Sequence, residues 1–182
     1  MPLEALANRL PNPARDIKQN LASIAASTAL TEQQLWGALL ASALASRSAT
    51  VLRTVAAEAA TRLSPAALEA VKAAHAIMAM NNVYYRSLHM IHDEALYKMP
   101  ARLRMTAIGN PGVDKLDFEL WELAVSAVNG CDSCLKAHVK GILDGGGTRE
   151  QIQEAVRVAA IVHAVAAVLE GEENLMSPSP PS

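Results

Sequence analysis

Apolar positions recur along this chain at helical spacing, in long runs that each begin just after a residue suited to cap a helix. Asn12-Pro13, Thr31-Glu32-Gln33-Gln34, Ser64-Pro65, Asp114 and Thr148-Arg149-Glu150-Gln151 mark five such starts, and the tetrads at Thr31 and Thr148 match the capping box. Asn110-Pro111-Gly112 suits a tight turn, and Asp144-Gly145-Gly146-Gly147 stops a helix. No alternating run of Val, Ile, Thr and Tyr is long enough for a strand. The pattern predicts an all-α, single-domain helical bundle over residues 1–175. The remainder, 176–182, reads as a disordered tail, because Ser177-Pro178-Ser179-Pro180-Pro181-Ser182 has nothing to bury.

Sliding the chain against itself by 85 residues superposes Leu35-Trp36 on Leu120-Trp121 and Glu69-Ala70-Val71 on Glu154-Ala155-Val156. Two pseudo-equivalent helical halves follow, about 31–85 and 114–170, with helix bodies that agree better than helix starts. Composition adds one constraint: hydrophobic residues are 51% of the chain but aromatics only 3%, and the excess is alanine, so the helices should pack closely.

The chemistry is concentrated in the second half. Both cysteines lie in Cys131-Asp132-Ser133-Cys134-Leu135-Lys136-Ala137-His138. At about 100° per residue Cys131, Cys134 and His138 fall within roughly 60° of one another, on the stripe that also carries Leu135 and Ile142. Asp132, Ser133, Lys136 and Lys140 take the opposite side, which makes the site semi-buried. At the repeat offset the first half has Ser46, Ala49 and Arg53 where the second has Cys131, Cys134 and His138.

A thiol near pKa 8.5 is mostly protonated at neutral pH, so a reactive pair needs activation. Asn129-Gly130 reads as a helix stop and restart that puts Cys131 in a first turn, while His138, one turn beyond Cys134, offers that sulfur a base. Geometry leaves the order of attack open. It also leaves open which acid orients His138. Glu119 and Glu122 sit on the preceding helix, roughly 15 and 10 Å below the turn, against about 12 Å for His138 on the other arm. With Ser126 and Asn129 they form a polar stripe that reads equally well as a solvated edge.

Other classes are constrained by charge and composition. Net charge is −2 with no basic run, which argues against nucleic acid. No signal-like N-terminus and no uninterrupted apolar stretch of about 18 residues appears, so no membrane association and a cytoplasmic location are expected. In a reducing compartment a CxxC pair is catalytic or metal-binding. The metal alternative is a structural or catalytic zinc site built from Cys131, Cys134, His138 and Glu119. A helical interaction module without catalysis is a third class, against which the clustered thiols count. His75, His89, His92 and His163 show no partner pattern, Met78, Met80, Met90, Met99 and Met105 read as gap-fillers, and Asn81 to Arg86 read as pocket lining or a subunit contact.

Phe118-Glu119-Leu120-Trp121, Ala124 to Cys131, Cys134 and His138 together resemble the alkyl hydroperoxidase D family. Arg15 to Leu21, Gln34 to Gly37, Met78 to Arg86 and Ile108 to Gly112 extend the resemblance over nearly the whole chain. It implies a homotrimeric antioxidant enzyme with no bound cofactor, a weak peroxidase in its own right. Its dithiol would reduce the active-site disulfide of a two-cysteine peroxiredoxin, alkyl hydroperoxide reductase C. Electrons would come from dihydrolipoamide on a lipoylated acyltransferase recharged by dihydrolipoamide dehydrogenase. The resemblance assigns Cys131 and Cys134 as the redox pair, His138 as proton shuttle and Glu119, rather than Glu122, as the group orienting it. Some family members carry a histidine just before the second cysteine, where this chain has Ser133.

Overall fold

The structure, a computed structural model, describes residues 2–176. The proline and serine tail lies outside the described residues. An N-terminal pair, α1 (Pro2–Arg9) and α2 (Arg15–Ile24), is followed by α3 (Glu32–Ser46), α4 (Ala49–Arg62) and α5 (Pro65–Ile91). Two single-turn helices, α6 (Glu94–Tyr97) and α7 (Thr106–Gly109), lead to α8 (Lys115–Asn129), α9 (Asp132–Asp144) and α10 (Arg149–Met176). Among the described residues there is no strand, and the fold is all-α as the sequence pattern predicts.

The expected caps form. Thr31 accepts from the Gln34 backbone while the Gln34 side chain returns to the Thr31 N–H, and Thr148 and Gln151 repeat the exchange. Ser64 accepts from Ala67 and Asp114 from Leu116. Asn12-Pro13 opens only a three-residue 3-10 turn, after which α2 begins at Arg15. Ser48, which caps α4 through the Val51 N–H, and the short α6 and α7 carried too little pattern to be anticipated.

Helices α3, α4 and α5 run for 15, 14 and 27 residues, and α8, α9 and α10 for 15, 13 and 28. Exchanging the first three with the second three leaves the set of packed pairs unchanged: α3 with α4 and α8 with α9, α3 with α10 and α8 with α5. The caps Thr31 and Asp114, Ser48 and Cys131, Ser64 and Thr148 stand 83, 83 and 84 residues apart, one or two short of the offset that aligns the helix bodies.

Helix α8 is enclosed by α3, α5, α9 and α10. Trp121, Phe118, Leu120 and Leu123 on it are fully buried. Against Trp121 lies Gly37 of α3, where any Cβ would fall onto the indole. The ring therefore rests on bare backbone, and its buried Nε1–H donates to the Gln34 carbonyl at 3.2 Å. At the same end Asp117 accepts from the Gln33 and Gln34 side chains at 2.7 and 2.8 Å, and Gln151 donates to Gln34, so the starts of α3, α8 and α10 are tied together. Helix α10 alone among the described residues is long and apolar enough, by composition, to cross a membrane, but half of its apolar window is buried against the bundle.

The Gly37 contact gives a stability prediction. Gly37→Ala should push Trp121 off α3 and cost about 1–3 kcal/mol by overpacking, read as a lower urea midpoint with an unchanged slope.

Candidate functional site

The end of α8 sets the site. The Cys131 N–H bonds to the Ser126 carbonyl at 3.1 Å and the Gly130 N–H to that of Ala127 at 3.2 Å, with Gly130 left-handed at φ 65°. That pair of bonds closes the helix in a Schellman turn and reverses the chain. Helix α5 holds the turn from the side: the Asn129 side chain donates to Asn82 at 3.0 Å, Asn82 donates to the Ser126 hydroxyl at 2.9 Å, and Arg86 donates to the Asn129 carbonyl. The reversal places Cys131 at the N-cap of α9, one residue before the first turn in which the sequence put it, and Cys134 as the third helical residue. Both sulfurs therefore lie where the dipole of α9 favours negative charge.

Cys131 and Cys134 are joined as a disulfide, with Cα atoms 5.3 Å apart. The site is more buried than the semi-buried one expected, since Cys131 is 0%, Cys134 6% and His138 8% exposed. A cavity of about 350 Å³ opens beside the pair. Cys134, His138, Glu119 and Glu122 line it, together with Met78 and Tyr85 of α5, Tyr97 of α6 and Ile108 of α7. Cys131 does not reach it.

His138 connects the sulfur side to the acids. Its Nδ1 lies 2.8 Å from Glu119 Oε2 and its Nε2 lies 3.2 Å from the Met78 thioether. A carboxylate can only accept, so in the neutral ring Nδ1 carries the proton and Nε2 is left as a lone pair with only a weak sulfur acceptor nearby. That is the tautomer of a general base. Glu119 reaches the ring over Gly141, one turn along α9. A Cβ at that position would come within 2.9 Å of the Glu119 carboxyl carbon.

Glu122 also arrives at the ring, its Oε2 3.7 Å from Nδ1, so both candidate acids touch the site and the solvated-edge reading fails. It is 0% exposed and neither oxygen has a hydrogen-bond partner. Burial, and secondarily the neighbouring Glu119 charge, push its pKa up to about 8. Glu122 is therefore a neutral acid at neutral pH beside an ionisable one. The ligand atoms of Glu119, Glu122 and His138 lie within 4.8 Å of one another, a set with the donors to hold a cation.

Of the residues that the sequence left undecided, Asn81 and Tyr85 line the cavity while Val83 faces outward, 55% exposed. Met78 had read as a gap-filler. It stands three, four and seven residues before Asn81, Asn82 and Tyr85, the spacing of one helix face, and that periodicity was the available signal.

Comparison with known proteins covers both this half and the whole chain. The model of the carboxymuconolactone decarboxylase family matches residues 94–172, the segment from α6 into α10. Over 175 residues the chain is 57% identical to alkyl hydroperoxide reductase AhpD of Gluconacetobacter diazotrophicus, with 96% of each protein covered. The chain belongs to the AhpD family. Identity to the AhpD proteins of Rhodospirillum centenum and Streptomyces coelicolor is 53% and 51%, over 96% of this chain and 94% and 98% of theirs. AhpD membership thus extends over the first helical half as well as the half that holds the cysteines.

The buried acid makes stability pH-dependent. Between 4.5, the ordinary carboxyl value, and about 8 the folded protein keeps a proton that the unfolded chain has released, so Glu122 erodes stability as pH rises and the loss levels off above 8. With a chelator present, Glu122→Gln should match the parent near pH 4.5 and exceed it by on the order of 2 kcal/mol at pH 8, in melts recorded across that range.

Proposed function

We propose that this protein is a dithiol oxidoreductase that reduces alkyl hydroperoxides and the active-site disulfide of a partner two-cysteine peroxiredoxin. The carrying observation is the asymmetry of the cysteine pair: Cys134 faces the cavity that His138 also lines, and Cys131 is enclosed behind it but bonded to it. A substrate in the cavity meets Cys134 first.

In the reduced enzyme His138 Nε2 takes the Cys134 proton, and Glu119 orients the ring and balances its charge. The Cys134 thiolate attacks the terminal peroxide oxygen, the O–O bond breaks, and the alkoxide leaves as the alcohol with the proton from His138. The sulfenic acid on Cys134 condenses with the Cys131 thiol, forming the disulfide and releasing water. With a peroxiredoxin disulfide the same thiolate attacks sulfur, and Cys131 resolves the mixed disulfide. A dithiol donor then returns two electrons by exchange at Cys134, with Cys131 leaving as a thiolate favoured by its helix terminus. We assign that donor role to dihydrolipoamide on a lipoylated acyltransferase, recharged by dihydrolipoamide dehydrogenase. The AhpD names of the relatives and the resemblance of the site motifs support this reading. Ser133, 3.7 Å from the Cys131 sulfur, stands where some members carry histidine, so His138 works as base without a second imidazole. Re-reduction needs a reducing compartment, which favours the cytoplasm.

The decisive assay combines the protein with a lipoylated domain, its dehydrogenase, a peroxiredoxin and peroxide while NADH consumption is followed. Omission of this protein, the lipoylated domain or the dehydrogenase should stop it, and omission of the peroxiredoxin should leave only the slower direct reduction of peroxide. Cys134→Ser should abolish turnover, and Cys131→Ser should accumulate a covalent adduct with the peroxiredoxin, visible on a non-reducing gel. Full activity in either variant would falsify the mechanism.

A homotrimer is part of the same proposal. The second half of α5 and the segment after it expose Met90, Ile91, Tyr97 and Met99 by 50% or more, an apolar surface that a subunit contact would cover. Light scattering should give three chains per particle, and Ile91→Asp should lower that number.

A further inference from the structure

We propose that Glu119, Glu122 and His138 form a binding site for one zinc(II) ion, and that the bound ion switches His138 into a form unable to take a proton from Cys134.

A carboxyl group removed from water and given no hydrogen bond costs several kcal/mol, and such groups persist where something else engages them. Both Glu122 oxygens are in that condition, and the side chain points at His138 Nδ1, 3.7 Å away. That nitrogen is shared with Glu119 at 2.8 Å. Zinc bonds of about 2.0–2.2 Å to nitrogen and oxygen set neighbouring ligand atoms of a tetrahedron about 3.3–3.5 Å apart. Both separations lie within roughly half an ångström of that, and the three ligand atoms all fall within 4.8 Å, so small side-chain rotations close the set.

The donor types fit as well. One imidazole and two carboxylates suit zinc, whereas calcium or magnesium would need six or more oxygens that the cavity does not offer. Binding displaces the Glu122 proton to solvent, after which two carboxylates neutralise the ion, and the fourth position is left to water from the cavity. Neither sulfur is needed, because Cys131 and Cys134 are bonded to each other. This site is therefore different from a zinc site built on the CxxC pair.

Binding through Nδ1 has a chemical consequence. A carboxylate 2.8 Å from Nδ1 favours the tautomer with the ring proton on Nδ1, which leaves Nε2 as the base in the proposed function. When the ion occupies Nδ1, the ring proton moves to Nε2, which then points an N–H at the Met78 sulfur and accepts nothing. The thiol of Cys134 loses its proton acceptor, and removal of zinc restores it.

The test uses the full chain in its disulfide form, titrated with zinc chloride by calorimetry, and with cobalt(II) followed by absorption. The expected result is one ion per chain and a cobalt spectrum of a nitrogen and oxygen site without a thiolate charge-transfer band. Glu122→Gln should weaken binding by at least about a hundredfold while melting cooperatively, and Glu119→Gln should weaken it likewise. The Cys131→Ser, Cys134→Ser double variant should bind as the parent does. Absence of saturable binding, unchanged affinity in Glu122→Gln, or loss of binding in the double serine variant each overturns the site. The inhibitory step rests on the proton-shuttle reading of His138 and has its own readout: saturating zinc should suppress hydroperoxide turnover and a chelator should restore it. Zinc that binds without slowing turnover overturns the switch, whereas a protein with no turnover to begin with overturns the proposed function and leaves the binding isotherm to decide the site.

Discussion

A helix packed on every side has no solvated face on which to carry a charge, and α8 carries three carboxyl groups into that position. Each must be answered from a neighbouring helix. Asp117 is answered by two glutamines of α3 and Glu119 by His138 of α9, while Glu122 is answered by neither hydrogen bond nor salt bridge shorter than 3.7 Å. The reactive centre is in this sense what the core requires of its own polar residues. Removing water from α8 is what sets the His138 ring against the Glu119 carboxyl and makes Glu122 a neutral acid.

That arrangement holds because α8 is fixed at both ends. Its start is bound to α3 and α10 through Gln34, Asp117 and Gln151, and its end to α5 through Ser126, Asn82 and Asn129. Between the ties the indole of Trp121 lies directly on the backbone of α3. Alanine and glycine at the crossings let backbones approach closely, so the positions of side chains on α8 and α9 are set by main chain rather than by adaptable bulk. A site that must hold a hydrogen bond at 2.8 Å between two helices benefits from that stiffness. One part of the cavity wall is built differently. Tyr97 and Ile108 reach the cavity from single-turn helices with no buried residue of their own, so that part of its lining is less firmly packed than the part on α5, α8 and α9.

Much of this is legible in the sequence itself. Capping residues marked where α3, α5, α8 and α10 begin because caps act locally, through bonds of three residues' reach. The shared face of Cys134 and His138 followed from helical spacing alone. What escaped was long-range. Helices α6 and α7 are single turns held by what they touch, and single turns leave no period in a sequence. The choice between Glu119 and Glu122 could not be made from height along the helix, since both reach the same nitrogen. It is made by distance across the α8 to α9 interface, which depends on the missing Cβ at Gly141. Met78 was overlooked for the same reason: a methionine on an apolar face becomes informative only when a ring nitrogen is found 3.2 Å away.

The two glutamates are chemically identical and three residues apart, yet the structure gives them different surroundings. Glu119 keeps some contact with the cavity mouth, its side chain 12% exposed, and has the ring N–H to satisfy its charge; Glu122, at 0%, has neither. Were both ionised, a Cys134 thiolate forming in the same cavity would face two negative charges with one imidazolium to offset them. With Glu122 protonated one of those negative charges is gone, and a thiolate would share the imidazolium and the positive end of α9 with Glu119 alone. Burial thus leaves this crowded acidic pocket with one carboxylate fewer at neutral pH, and the proposed Cys134 thiolate would then face fewer like charges.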